Sequence, residues 1–226
     1  MKKIFLFLLL ATVIQGLHAQ RYIKLGYCAN FYNMDQYDAM VDRYNVTRSW
    51  LTNKMTYMHR MMGPDVGYGA RTESTGVEFY YRTAWATVTA SGSPTGGPAS
   101  TRYLKAQDSY FGLDMYVRIF GRCALSLAVE GSRFKTKTKV DDADYAITDK
   151  KMSVGITPGI RLFTTKGMFV PTIHAYYTLP FIKETHEGAW YTLDANNAAS
   201  EPASSFRARA SHFGISLSFC IGKTES

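Results

Sequence analysis

From residue 21 to residue 222 the chain repeatedly alternates apolar and non-apolar side chains with a period of two. The links between alternating runs are of two kinds. Tight turns are expected at Glu73–Gly76, Phe120–Arg122 and Thr164–Gly167, and long polar loops at 32–62, 92–102, 135–150 and 182–205. A period of two is the side-chain period of a β-strand, so each set of residues occupies its own face. In Phe111–Ile119, residues Phe111, Leu113, Met115, Val117 and Ile119 face one way, and Gly112, Asp114, Tyr116 and Arg118 the other. Cys123–Glu130, Met152–Phe163 and Phe213–Gly222 repeat the pattern. Short turns at one end and long loops at the other characterise an up-and-down antiparallel transmembrane β-barrel.

Eight strands are expected, at 21–31, 63–73, 76–91, 103–120, 122–134, 150–165, 167–181 and 206–222. Most exceed the ~9–11 residues that a tilted strand needs to cross the hydrocarbon, so the excess projects on the loop side. A soluble barrel of similar length points its apolar face inward. Here the non-apolar face is rich in Gly, Ser, Ala and Thr with a few charges, which suits a cramped polar lumen. Aromatic residues near strand ends (Tyr22, Phe31, Tyr80, Tyr81, Tyr110, Phe120, Phe163, Phe169, Tyr176, Tyr177 and Phe181) are assigned to the two interfacial girdles.

The N-terminus reads as an export signal. Lys2 and Lys3 precede the apolar run Ile4–Ile14, and Leu17-His18-Ala19 offers a cleavage site before Gln20. That length and those flanks suit a cleaved signal peptide over residues 1–19, leaving 20–226 as one barrel domain. Removing the two charges of Lys2 and Lys3 lowers the formal charge from +8 to +6. Charged residues make up only 19% of the chain, and Lys and Arg appear scattered, with no stripe or nucleic-acid motif. The expected partner is therefore outer-membrane lipid with anionic head groups, together with other envelope proteins, and no nucleic acid.

The signal peptide, the eight strands and the closing segment Phe213–Gly222 (FGISLSFCIG) resemble the small outer-membrane barrels of the OmpA/OmpX type, in the form common in bacteroidete bacteria. The resemblance is architectural and covers nearly the whole mature chain. It implies a bacterial outer-membrane location.

Lys24, Glu78, Arg82, Asp114, Arg118, Arg122, Glu130 and Arg161, with His174 and His212, fall on positions aimed inward. An eight-stranded barrel has room inside only for side chains, so these charges are expected to pair as a structural plug. In the first long loop, Tyr37, Met40, Val41 and Tyr44 follow helical spacing, and Asp35 stands where an N-cap would. The stretch Thr47–Met62 reads either as a second helix or as an extension of the next strand. Tyr37, Met40, Tyr44, Trp50 and Met58 are the candidate partner contact, since methionine recurs at adaptable docking surfaces. The alternative is a cap that packs only on its own barrel.

Nothing points to a cofactor or a metal. Asp141, Asp142 and Asp144 lack an ordered ligand set, and Glu184, His186 and Glu187 do not form an HExxH motif. Cys28 and Cys220 share an inward phase on the first and last strands, but register counting sets them several residues apart, against a bridge. Ser211 and His212 are adjacent on a strand and so face opposite sides, which argues against a nucleophile–base pair. The leading functional class is a structural, anchoring or protein-interaction barrel, such as a subunit of an envelope or secretion assembly. An outer-membrane lipid- or protein-modifying enzyme is the alternative, and a small pore the third.

Overall fold

The antiparallel alternation closes on itself. The computed structural model describes residues 19–163, 168–182, 184–185, 187–193, 207–208 and 211–222, so the expected signal peptide lies outside the described residues except for Ala19. In chain order the elements are β1 (Gln20–Tyr32), α1 (Asp35–Val46), β2 (Leu51–Asn53), β3 (Arg60–Arg71), β4 (Thr75–Gly92), β5 (Ser100–Phe120), β6 (Cys123–Val140), β7 (Ala146–Phe163), β8 (Phe169–Pro180), β9 (Glu184–Thr185), α2 (Glu187–Leu193), β10 (Arg207–Ala208) and β11 (His212–Gly222). Eight of these strands pair antiparallel around a ring in the order β1-β3-β4-β5-β6-β7-β8-β11, and β11 returns to β1 with Tyr22 opposite Gly222 and Tyr32 opposite His212. The chain therefore has the eight-stranded, up-and-down transmembrane barrel fold, with a helix in the first long loop.

The β4–β5 and β6–β7 loops are shorter than expected because their strands are longer, whereas β11 starts at His212 and not at 206. β6 runs to Val140 and β7 starts at Ala146, so the loop between them is only 141–145. Asp141 turns it in the left-handed region (φ 50°), and its carboxylate accepts from the Thr101 N–H at 2.6 Å and the Ser100 hydroxyl at 3.1 Å. At the opposite, lower end, Thr72 and Thr75 tie the β3–β4 turn, and Gly121 takes a positive φ between β5 and β6. The Thr164–Gly167 turn lies outside the described residues.

Along the long strands the chemistry of the two faces exchanges while the alternation continues. In the lower part of β4 the outward residues are Val77, Phe79 and Tyr81, and the inward ones Glu78, Tyr80 and Arg82. Higher on the same strand the outward residues are Thr87 and Thr89, and the inward ones Ala84, Val88 and Ala90. β5 passes from outward Phe111 to Gln107 and Lys105, and from inward Asp108 to Ala106 and Leu104. The lower part is thus built for lipid outside and polar groups inside. The upper part is built for water outside and an apolar core inside, which is the pattern of a soluble domain.

That upper core is a head. Its buried side chains include Met34, Tyr37, Met40, Val41 and Tyr44 of the first excursion, Met55, Met58 and Met61, Leu104 and Phe134 of the walls, and Trp190 and Leu193 of α2. α1 forms because Tyr37, Met40, Val41 and Tyr44 make one apolar stripe, and Asp35 and Asp38 lie in its first turn, where carboxylates favour the helix dipole. The N-cap is Met34, not Asp35, and it makes no side-chain cap. Thr47 closes the far end with its hydroxyl on the Arg43 carbonyl at 2.8 Å.

The stretch after α1 is neither of the two structures expected. β2 adds three residues to the top of β4, and only Arg60–Met62 extends β3. The intervening chain is latched to α1 instead. The Tyr57 hydroxyl donates to Asp42 at 2.7 Å, which raises its phenol above the usual value, and His59 Nε2 lies 2.7 Å from Asp38.

Four lumen tyrosines sit directly across from glycines: Tyr22 opposite Gly69, Tyr80 opposite Gly112, Tyr116 opposite Gly76 and Tyr176 opposite Gly214. Each ring occupies the space a Cβ would take, so the glycines make room for the rings. A Cβ at Gly214 would overlap the Tyr176 ring, whose hydroxyl is fixed on Asn30 at 2.6 Å. Gly214→Val is expected to destabilise the barrel by roughly 1–3 kcal/mol, read as a lower urea midpoint in detergent. An unchanged midpoint would show that the ring swings aside freely.

Candidate functional site

The lumen is filled in layers that follow β4 upward. At Glu78, one carboxylate gathers three donors. Lys24 Nζ lies at 2.7 Å, Arg161 binds it with two nitrogens at 2.9 Å each, and the Tyr22 hydroxyl donates at 2.9 Å. Arg161 also donates to Asp114 at 2.5 and 3.1 Å, and Lys24 reaches Asp65 at 2.9 Å. The Ser216 hydroxyl completes Asp65 at 2.5 Å. These charges belong to β1, β3, β4, β5 and β7, so the network crosses the barrel and ties strands that share no hydrogen-bond ladder.

One layer higher, Tyr80 donates to Glu130, and the Arg82 guanidinium lies 3.8 Å from the Tyr176 ring centre and 4.8 Å from that of Tyr80. Above that, Asp108 accepts from Tyr110 and, at 3.1 Å, from Tyr32, while the His212 ring stacks on Tyr32 at 4.6 Å. Among the described residues the lumen buries three cations, Lys24, Arg82 and Arg161, against five carboxylates: Asp65, Glu78, Asp108, Asp114 and Glu130. Tyrosine and serine hydroxyls supply the donors that the cations do not. This is why the lumen is aromatic as well as charged, since a buried carboxylate without donors is costly.

Six of the eight residues expected in the plug, Lys24, Glu78, Arg82, Asp114, Glu130 and Arg161, are buried inside. The other two are not. Arg122 is exposed in the lower turn, and Arg118 is half-buried at the lower rim over Phe163. The girdle assignment also needs correction. Tyr22, Tyr80, Tyr110, Phe163 and Tyr176 point into the barrel, whereas Phe31, Tyr81, Phe120, Phe169, Tyr177 and Phe181 face outward. Sequence reading missed Asp65 and Asp108. Pro64 and the run of small residues around Asp65 obscure the alternation of β3, and Asp108 lies where β5 exchanges its face chemistry.

The candidate partner contact is internal. Tyr37, Met40, Tyr44 and Met58 are each at most 2% exposed, and Trp50 is partly buried against the same cluster. The first four belong to the head core and are not available for docking, and Trp50 packs at its edge. Cys28 lies opposite Ser216 and Cys220 opposite Lys24, so four register positions separate the two thiols, and both are free.

Ser126 Oγ and His174 Nε2 are 3.0 Å apart, but His174 Nδ1 has no hydrogen-bond partner, so no acid orients the ring. The pair is also sealed within the plug. Among the described residues no three His, Cys, Asp or Glu side chains gather as a metal site, and no helix is long and apolar enough to cross a membrane.

No protein-family model matches the sequence, and no curated protein matches it. The solved structures do contain similar folds. The attachment invasion locus protein Ail of Yersinia pestis, in complex with the heparin analogue sucrose octasulfate, is 10% identical with a TM-score of 0.50, over 90% of this chain and 97% of Ail. Ail without that ligand gives 11% identity and a TM-score of 0.48 over the same shares. Neisserial surface protein A gives 7% and 0.42, over 89% and 96%. At such identities the likeness to Ail establishes the fold and nothing finer.

Proposed function

We propose that the chain is an integral outer-membrane protein that anchors or binds at the cell surface and neither conducts nor catalyses. The exchange of face chemistry along β4–β6 supports this reading. It sets an apolar belt below and a water-facing head above, on one continuous set of strands. Among the described residues the cross-linked plug and the packed head fill the ring, and eight strands leave interior room only for side chains. They also bury the Ser126–His174 pair away from any substrate. What remains for function is the outside of the head and its loops, which rigid strands hold above the membrane.

Cysteine scanning on intact cells tests the topology. Asp142→Cys and Thr95→Cys at the upper end are expected to react with a membrane-impermeant maleimide, and Ser74→Cys in a lower turn is expected to be protected. The opposite pattern would invert the orientation and overturn the surface reading. Asn196, a further upper-loop position expected from the sequence, lies outside the described residues. Purification in mild detergent then separates an autonomous anchor from an assembly subunit by whether a partner accompanies the barrel at near-stoichiometric amounts.

A further inference from the structure

The cations that look scattered along the sequence are gathered by the fold. Above Gly131, β6 reads Arg133-Phe134-Lys135-Thr136-Lys137-Thr138-Lys139. Alternation buries Phe134, Thr136 and Thr138 against the head and sends all four cations to the outer face. The neighbouring strands add to the same face. Lys105 of β5 stands directly opposite Lys137, and Lys150 of β7 directly opposite Lys135. Lys139 lies over the Tyr103 ring at 4.7 Å.

Like charges paired across strands destabilise a sheet, and here two such pairs sit side by side. Among the described residues none of these six cations has a carboxylate within ion-pair distance. In the same rows, Gln107 stands opposite Lys135, and Ser109 and Met152 stand opposite Arg133 on either side; none is an acid. Lys135, above the belt, has its ammonium held below the usual value by partial burial and by Lys137, Arg133 and Lys150 around it. Such a face gains stability only when something anionic lies on it.

Its position selects the occupant. Directly below Arg133 and Lys150 the same wall becomes apolar, with Phe111, Val129 and Val154 exposed. An occupant with acyl chains meets both zones at once. The basic stripe from Arg133 to Lys139 extends six residues, ~20 Å along the strand and on the order of 15 Å in height at barrel tilt. The head-group zone of a bilayer is only ~5–7 Å thick on each side. A phospholipid therefore meets the lowest cations alone, whereas a glycolipid carrying phosphates on several sugars matches the full stripe.

We propose that the outer wall of β5–β7 is a binding site for a multiply phosphorylated glycolipid of the surrounding leaflet. Its acyl chains lie against Phe111, Val129 and Val154, and its phosphates against the Lys105–Lys137 and Lys135–Lys150 pairs. The site rests on the membrane reading above, but it is tested separately.

The full chain, purified in a mild non-ionic detergent, is titrated with a bisphosphorylated acylated disaccharide and with the same lipid after dephosphorylation, followed by native mass spectrometry. The phosphorylated lipid is expected to bind and the dephosphorylated one to bind far more weakly. The variant combining Lys135→Gln, Lys137→Gln and Lys150→Gln should weaken binding about a hundredfold. Because those side chains are on the outer face and their removal relieves two like-charge pairs, its unfolding midpoint without lipid should be no lower than that of the unmodified chain. Equal binding of both lipids, or an unaffected triple variant, overturns the site. Equally tight binding of sucrose octasulfate in free solution would mean a soluble polyanion site and overturn the lipid assignment. A chain that stays soluble and folded without any detergent refutes the membrane reading instead, and the two failures are distinct.

Discussion

Glu78→Ala is expected to destabilise the barrel by about 3–5 kcal/mol, one of the two greatest losses. Glu78 is the common acceptor for Lys24, Arg161 and Tyr22, and it is fully buried. Its removal leaves Lys24 dependent on Asp65 and Arg161 on Asp114, with both cations still buried. The measurement is the urea midpoint in detergent micelles, followed by the heat-dependent shift of the folded band on gels. The double variant Lys24→Met with Glu78→Leu should recover part of the loss, because apolar side chains of similar volume often replace a buried ion pair at little net cost. A single alanine variant as stable as the unmodified protein would show that the plug holds nothing together.

Phe134→Ala should act elsewhere and differently. Phe134 is 1% exposed, lies on the inner face of β6 above the belt, and meets Tyr37 edge-on at 6.0 Å. Truncating a buried phenylalanine removes about 3–5 kcal/mol, and here the loss falls on the head alone. The head should open while the barrel persists. Cys28 is fully buried at the base of the head cluster, so its thiol serves as the reporter. In a Cys123→Ser background, Cys28 should react with maleimide much faster in the Phe134→Ala variant, with the gel shift of the barrel unchanged. Unchanged thiol reactivity would mean that head and barrel form one cooperative unit.

The strands were legible because period-two alternation survives for long stretches, as in Phe111–Ile119 and Phe213–Gly222, whatever the solvent on each side. Inward direction was legible for the same reason, and with it the placement of Glu78, Asp114 and Arg161. Two kinds of information were not local. Whether a tyrosine near a strand end lies in a girdle or in the lumen depends on its phase, so Tyr80 and Tyr81 go to opposite faces although both are aromatic and adjacent. The gathering of Lys105, Lys137, Lys135 and Lys150 depends on register between strands, which no single segment carries. The head was obscured for a third reason. Met40 and Met58 look like an exposed adaptable surface until the upper parts of β4–β6 turn their apolar faces toward them.

The exchange of face chemistry along single strands also fixes the depth at which the molecule rides. If the barrel sank by one side-chain pair, Arg133 and Lys150 would approach hydrocarbon, at roughly 2–4 kcal/mol for each charge that reached the midplane and less near the interface. If it rose by the same step, Phe31 and Phe213 at the upper edge of the belt would enter water, where apolar area costs about 25 cal/mol per Å². Either displacement is opposed, so vertical position is a property encoded in the strands themselves. Neither water nor lipid alone is a solvent in which the whole chain is folded, and the finished structure exists only where the two meet.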